Sequence, residues 1–321
     1  MRVSICIPTF QRTDFLKVAI DSCLRQSYPP FEIIIGDDST NHDTETLIHT
    51  QFKDATIPVL YFRNQPSQGE RRNADDLFKR TIGDAVMLLH DDDWLLPNAL
   101  SVLIPIMEKR SDVIAVYGKQ KIASDEGIID DDASFAVNKA FHRTSERSGQ
   151  QSPLRAGATA QFPNDGYLVR GDIARNMGYY TGKITRRNPD FLFGLQLGLK
   201  FEGRALFWFV DEFTAVYRKS SVSMSRSQIP ADGVFEGFKL IEQNLLNSAL
   251  KHGDVQSWLR EQIPVIIVSA AQTGDWKQSL RLYFSPWHRG RILSLGGLNR
   301  LRIIVQAALA AWIASSCDDI E

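Results

Sequence analysis

The run Val86-Met87-Leu88-Leu89-His90-Asp91-Asp92-Asp93-Trp94-Leu95-Leu96-Pro97 decides how this chain is read. It opens as an apolar stretch short enough to be a buried strand. It then stops on three consecutive carboxylates, and Pro97 suits the first turn of a following helix. Adjacent like charges repel, so the triplet is unfavourable unless a cation neutralises it. Carboxylate oxygens suit magnesium and manganese, and magnesium commonly shares itself between one or two protein carboxylates and substrate phosphates. A strand end of this kind reads as a site for a metal–diphosphate complex. The competing reading is an exposed acidic loop with solvated charges, and the flanking sequence has to decide between them.

Working outward toward the amino terminus, Val3 to Pro8 is a short β-branched run, hence a buried strand, and Thr9 to Arg12 is a polar loop at its end. Thr13 through Ser27 reads as a helix with Phe15, Leu16, Ala19, Ile20, Cys23 and Leu24 on one face, stopped by Pro29-Pro30. Phe31 to Gly36 is a second strand, followed directly by Asp37-Asp38-Ser39-Thr40. A helix over about Asp43 to Phe52, a strand Val59 to Phe62 and a polar helix Gly69 to Arg80 lead back to the strand Ala85 to Leu89. Pro97 to Lys109 reads as a helix and Val113 to Tyr117 as a fifth strand. This alternation predicts an α/β fold, a mostly parallel sheet with helices on both faces, in which ligands bind beyond the carboxyl ends of the strands. Three of those ends carry Arg12, Asp37-Asp38 and Asp91-Asp92-Asp93. Their convergence favours a ligand site over a solvated loop.

Past Lys119 the pattern weakens. Ser124 to Asp132 reads as an acidic hairpin or loop, and Ala133 to Pro163 is long and polar enough to be a functional lid or acceptor loop. Gly166 to Val169 is a strand, and Asp172 caps a short helix ending at Gly178. Asn188-Pro189-Asp190 has the form of a helix start, with an acid near the positive end of the dipole and Phe191 to Leu199 continuing the helix. Arg204 to Val210 and Phe213 to Tyr217 read as two strands around Asp211-Glu212. Helices over Val234 to Lys251, Val255 to Gln272 and Gly274 to Tyr283 then form an appendage, so 1–230 and 231–321 are expected to be separate regions. From Trp276 to Cys317 there is no Asp or Glu, while Lys277, Arg281, Arg289, Arg291, Arg300 and Arg302 lie there beside Trp276, Trp287 and Trp312. Such a segment suits an anionic membrane surface, or packing on a second subunit.

Composition narrows the class. The formal net charge is −1 over 321 residues, which leaves no global field for nucleic acid. Only Cys6, Cys23 and Cys317 occur, without a CxxC pair, which argues for a reducing compartment and against a disulfide framework or zinc site. The amino terminus enters a strand at once, with no signal-peptide pattern. The longest apolar candidate, Ile303 to Cys317, is interrupted by Gln306 and falls short of the roughly 18 residues a membrane span needs. A cytoplasmic location is expected, with peripheral contact at the inner face of the membrane through the basic segment.

These motifs resemble the family 2 glycosyltransferases. Val3-Ser4-Ile5-Cys6-Ile7-Pro8-Thr9-Phe10-Gln11-Arg12 is similar to their opening strand and loop, and Glu32-Ile33-Ile34-Ile35-Gly36-Asp37-Asp38-Ser39-Thr40 to their second strand. Arg71-Arg72-Asn73 is similar to their Ala-Arg-Asn segment, His90-Asp91-Asp92-Asp93-Trp94 to their DxD region, and Asn188-Pro189-Asp190 to the segment bearing the base. The resemblance runs over roughly Arg2 to Arg218 and implies the GT-A fold. It also implies inverting transfer of a sugar from a nucleotide diphosphate-sugar to a hydroxyl of a saccharide or lipid-linked saccharide, in surface polysaccharide synthesis. Carried over, Pro8, Thr9 and Arg12 border the nucleotide pocket, and Asp38 accepts the ring N–H of uracil or thymine. Arg72 meets the nucleotide or its diphosphate, and Asp91 lies near the ribose. Asp92 is the main ligand of Mn2+ or Mg2+, with Asp93 assisting, and Asp190 is the base.

Three positions depart from the pattern. His90 stands where many relatives have an acid and reads as a polar strand-end residue; Asn73 is followed by Ala74-Asp75 where many place a glycine; and Lys219-Ser220-Ser221 replaces a His near the metal. The rival readings are a nucleotidyltransferase on a related fold and a non-catalytic carbohydrate-binding protein. Neither GxGxxG nor GxxxxGK[ST] occurs, which counts against the first. The joint presence of Asp38, Asp92 and Asp190 in matching motifs counts against the second.

Overall fold

The computed structural model describes residues 1–179, 188–219, 235–243 and 252–318. Two compact units emerge, Met1–Lys183 with Pro189–Ser223, and Ile184–Asn188 with Met224–Glu321. The boundary expected between 230 and 231 falls outside the described residues.

In the first unit, β1 (Val3–Thr9), β2 (Glu32–Asp37), β3 (Val59–Arg63) and β4 (Ala85–Leu88) pair in parallel in the order β3-β2-β1-β4. Alternate side chains of these strands point to opposite faces. Ile5, Ile7, Ile33, Ile35 and Met87 join one core with α1 (Thr13–Leu24) and α4 (Ala99–Lys109). Cys6, Ile34, Val86 and Leu88 join the other with α3 (Glu70–Arg80) and α8 (Pro189–Phe201). Burial on both faces is why β1, β2 and β4 read as continuous apolar runs. Cys6 and Cys23 are buried free thiols.

Beyond β4 the sheet also takes antiparallel strands. β9 (Leu168–Arg170) runs antiparallel between β4 and β6 (Val113–Ala123). β10 (Leu206–Arg218) lies parallel to β6, and β5 (Trp94–Leu95) pairs antiparallel with β10. The regular strand–helix–strand crossover ends at β6, so later strands are free to enter in either direction. The two strands expected around Asp211-Glu212 are one: register shifts between Phe209 and Phe213 absorb the polar pair as an irregularity within β10. β6 likewise runs six residues past its expected end and meets β7 (Ile129–Asp130) as a hairpin.

Ala133 to Pro163 is not a plain lid loop. It contributes to α5 (Asp131–Ala140), β8 (Gly149–Gln151) and α6 (Pro153–Ala158). α6 packs closely on α8: a Cβ on Gly157 would lie 2.4 Å from the Gly194 carbonyl oxygen, and one on Gly198 would lie 2.6 Å from that of Pro153. These glycines seat α8, whose first turn carries Asp190.

The second unit is helical. Residues 235–243 form α9, followed by α10 (Gly253–Gln272), α11 (Trp276–Tyr283) and α12 (Leu295–Asp318). The rest of the helix expected over Val234 to Lys251 lies outside the described residues. α12 carries Gly296 and Gly297 in its first turn. His288 is buried, accepts from Arg300 Nε at 3.0 Å and faces the Tyr283 carbonyl at 2.9 Å. Among the described residues no helix is long and apolar enough to cross a membrane.

One close approach places α3. Asn73 Nδ2 donates to the Gly36 carbonyl at 2.7 Å, and a Cβ on Gly36 would sit 2.0 Å from Asn73 Oδ1. Gly36→Ala is expected to lower stability by about 1–3 kcal/mol, the usual range for overpacking. Combining it with Asn73→Ala removes the clashing atom, so urea titrations of the single and double variants are expected to give a double-variant loss smaller than the sum. Additive losses would mean that the two residues do not oppose each other.

Candidate active site

Because β1, β2 and β4 are parallel and adjacent, their carboxyl ends deliver Thr9, Asp37 and the acidic triplet side by side. Asp91 turns toward β1: its Oδ2 accepts from Thr9 Oγ1 at 2.8 Å and from the Phe10 N–H at 3.4 Å. Arg12 reaches Asp91 Oδ1 at 3.3 Å and Asp92 Oδ2 at 3.0 Å. A second arginine, not singled out from sequence, closes the other side. The Arg218 N–H donates to Asp93 Oδ1 at 2.7 Å, and its Nε donates to the Asp92 carbonyl at 2.9 Å. Its guanidinium lies over the rings of Phe15 and Trp94, 4.6 and 4.7 Å from their centroids.

His90 is half-buried at the strand end, between two carboxylates. Its Nδ1 lies 3.9 Å from Asp93 Oδ2, and its Nε2 lies 3.3 Å from Asp190 Oδ1. Tyr179 donates its hydroxyl to that same Asp190 oxygen. The expected base, on the first turn of α8, therefore adjoins the acidic run. Asp165 was also missed: its Oδ2 accepts the His90 N–H at 3.2 Å, and its Oδ1 accepts from Gln120 Nε2 at 2.8 Å.

Crowded, buried acids hold their protons. Burial pushes Asp91 up to about 6, with Arg12 opposing and Asp92 adding. Burial, then the charges of Asp165 and Asp92, raise Asp93 well above the usual carboxylate range. For His90 burial works against the charged form, but Asp190, Asp165 and Asp93 outweigh it and raise the imidazole well above its ordinary value. Glu70, at the start of α3, is pushed up to about 7 by burial and then by Asp190.

His90, Asp92 and Asp93 each offer one ligand atom, all within 4.8 Å of one another. Asp93 Oδ2 and His90 Nε2 are buried without a hydrogen-bond partner. The acceptor capacity of Asp93 Oδ2, left unused in a buried acidic cluster, suits a divalent cation, so the residues fit such an ion. Asp91 lies outside this set and faces Thr9 and Arg12.

The remaining expected residues lie at the same end of the sheet. Pro8 is buried in register with Gly36, and Arg72 is exposed on the first turn of α3. Asp38 is more heavily engaged than its sequence suggests. Its Oδ2 accepts from Ser67 Oγ at 3.0 Å, the Gln68 N–H at 3.1 Å and the Gly69 N–H at 2.6 Å, while its Oδ1 takes Asn64 Nδ2 at 2.8 Å. Asp37 accepts from the Ser39 N–H and the Tyr61 hydroxyl, as a turn residue should.

The raised Glu70 carboxyl has a stability consequence. The folded chain keeps a proton that the unfolded chain releases between the ordinary carboxylate range and about pH 7, so this group's contribution falls as pH rises through that window. Glu70→Gln is expected to raise the melting temperature relative to the native chain above pH 7, with the gain shrinking toward pH 4. Calorimetry in chelator checks this; a difference independent of pH would remove Glu70 as a titrating group.

Comparison with known proteins bears on this geometry. The model described as glycosyl transferase family 2 matches residues 4–160. A GalNAc(5)-diNAcBac-PP-undecaprenol beta-1,3-glucosyltransferase of Campylobacter jejuni is 36% identical over 104 residues, 32% of this chain and 33% of that protein. The abequosyltransferase RfbV of Salmonella typhimurium is 28% identical over 115 residues, 35% of this chain and 34% of that one. The matched stretch thus spans about a third of these relatives' own length. The crystal structure of S. aureus TarS 1-349 in complex with UDP-GlcNAc superposes with a TM-score of 0.62 at 15% identity, covering 97% of this chain and 92% of that one. At that identity the likeness establishes the fold, GT-A.

Proposed function

We infer the activity of this chain from its membership of glycosyl transferase family 2, to which residues 4–160 belong: it is an inverting, metal-dependent glycosyltransferase. It moves a sugar from a UDP- or dTDP-sugar to a hydroxyl of a saccharide or lipid-linked saccharide acceptor. The reaction serves surface polysaccharide synthesis, on the cytoplasmic face of the membrane. The observation that carries this reading is the meeting of Asp190 with the acidic run through His90, at 3.3 Å. It supports reading Asp190 as a carboxylate base beside a diphosphate-and-cation site.

Arg12 and Arg72 meet the nucleotide and its diphosphate, while Pro8, Thr9 and Asp91 border the ribose side. Asp38 accepts a pyrimidine ring N–H on Oδ1, since Oδ2 already takes three donors. Mn2+ or Mg2+ held by Asp92 and Asp93 would offset the charge of the departing diphosphate. The acceptor hydroxyl attacks the anomeric carbon from the face opposite the diphosphate, and Asp190 takes its proton. One displacement with one base inverts the anomeric configuration. Tyr179 holds the carboxylate in place for that transfer.

Asp190→Asn keeps the shape of the side chain and loses the proton acceptor. Transfer is expected to fall by about two to four orders of magnitude with donor affinity within a few-fold of native. A transfer rate close to native would assign the proton to another acid.

The helical region 231–321 positions the protein and does no chemistry. In α12, Leu298, Val305, Leu309, Trp312 and Ile313 are exposed, in a segment whose ionised side chains are all basic up to Cys317. Those features suit an anionic membrane surface or a second copy. Removing residues 286–321 is expected to abolish sedimentation with anionic vesicles or to lower the solution mass, with turnover on a soluble acceptor analogue kept within a few-fold. Collapse of turnover in a folded variant whose mass and vesicle binding are unchanged would place the segment in the active site.

A further inference from the structure

The acidic site contains one residue type that an all-oxygen magnesium site does not use. We propose that His90 is a nitrogen ligand of the divalent cation, through Nδ1, and that it makes the site prefer manganese to magnesium. This rests on the reading of Asp92 and Asp93 as cation ligands and adds to it a ligand and a selectivity.

The geometry of the ring carries the argument. Nε2 lies 3.3 Å from Asp190 Oδ1, and Nδ1 lies 3.9 Å from Asp93 Oδ2. The Asp190 charge favours a ring proton on Nε2, which leaves the Nδ1 lone pair on the side of the Asp93 carboxylate. Metal-bound imidazoles commonly keep a carboxylate beside their other nitrogen. Two ligand atoms about 2.1 Å from one ion stand roughly 3–4 Å apart, and the Nδ1 to Oδ2 separation lies in that range. Asp93 Oδ2, wholly buried, has no hydrogen-bond partner and is the atom that faces Nδ1.

The backbone around the ring is fixed as a built site requires. Asp165 accepts the His90 N–H, Gln120 donates to Asp165, and the buried Arg143 donates to Gln120 Oε1 at 2.9 Å. A histidine that served only as a polar strand end would be expected to face water or a carbonyl; this one is 16% exposed and lies between two carboxylates. Imidazole nitrogen suits first-row transition ions, whereas magnesium favours carboxylate, carbonyl and water oxygen. Replacing one oxygen of the set by nitrogen therefore shifts selectivity toward manganese.

The test uses the full chain with UDP present. Pulsed electron paramagnetic resonance of bound Mn2+ reads nitrogen coupling from a ligating imidazole, and calorimetry gives the dissociation constants of Mn2+ and Mg2+. The native protein is expected to show imidazole nitrogen modulation and tighter binding of Mn2+. His90→Asp, which restores an all-oxygen set, is expected to lose the modulation and to reduce the Mn2+ over Mg2+ preference on the order of tenfold. His90→Gln, which adds no charge, is expected to lose the modulation as well, so the readout survives if His90→Asp fails to fold. Mn2+ bound to the native protein without nitrogen coupling, at a preference unchanged in either variant, would overturn the role of His90 and leave Asp92 and Asp93 as ligands. No Mn2+ or Mg2+ binding by the native protein would overturn both.

Discussion

Three consecutive carboxylates buried at the end of β4 are the constraint on which the rest of this structure depends. Left alone they would repel one another and resist desolvation. Two arginines far apart in sequence answer them: Arg12, from the loop after β1, pairs with Asp91 and Asp92, and Arg218, the last residue of β10, binds Asp92 and Asp93 through side chain and backbone. The mixed half of the sheet makes the second contact possible. β5, the two residues directly after the triplet, pairs with β10 so that Trp94 lies opposite Val216, two residues before Arg218. A strand of two residues would contribute little on its own; here it fixes the register between the acids and their distant counter-charge.

The arginines do not balance the cluster. Glu70, Asp165 and Asp190 add to the triplet, and His90 and Arg143 are further basic groups beside them. The surplus shows in the acids that burial and mutual repulsion keep protonated above their ordinary range. It is the electrostatic reason that a divalent cation and a cation-bearing diphosphate suit the pocket. It also explains why the acids sit at strand ends rather than in mid-strand, where their partners could not approach from two loops at once.

Much of this was legible from residue order. β1, β2 and β4 are buried on both faces and announce themselves as continuous apolar runs, and the acids that follow them can only fall at the carboxyl edge of a parallel sheet. Asp190 was marked by its helix start. The illegible part is non-local. Arg218, Asp165 and Tyr179 matter through partners from 11 to 126 positions away in sequence, and nothing in their neighbourhoods marks them. α5, β8 and α6 were read as a loop because they are short and largely polar, and what orders them is packing on β6, β10 and α8 rather than periodicity. Asp38 was recognised as an acceptor, but its three donors from Ser67 to Gly69 lie in a turn that sequence could not bring to it.

That last point changes how Asp38 is understood. A carboxylate kept for a ligand would be expected to stand open, whereas Asp38 spends one oxygen on ordering the turn that leads into α3. Asn64 links Asp38 to Asn73, at 2.8 and 3.1 Å, and Asn73 is pressed against Gly36 at the end of β2. Asp38 is thus tied by hydrogen bonds to the helix that carries Glu70, Arg71 and Arg72. On the other side, Tyr179 binds Asp75 of the same helix through its N–H and Asp190 through its hydroxyl. α3 therefore links Asp38 to Asp190, and its seat against β2 sets the distance between those two carboxylates.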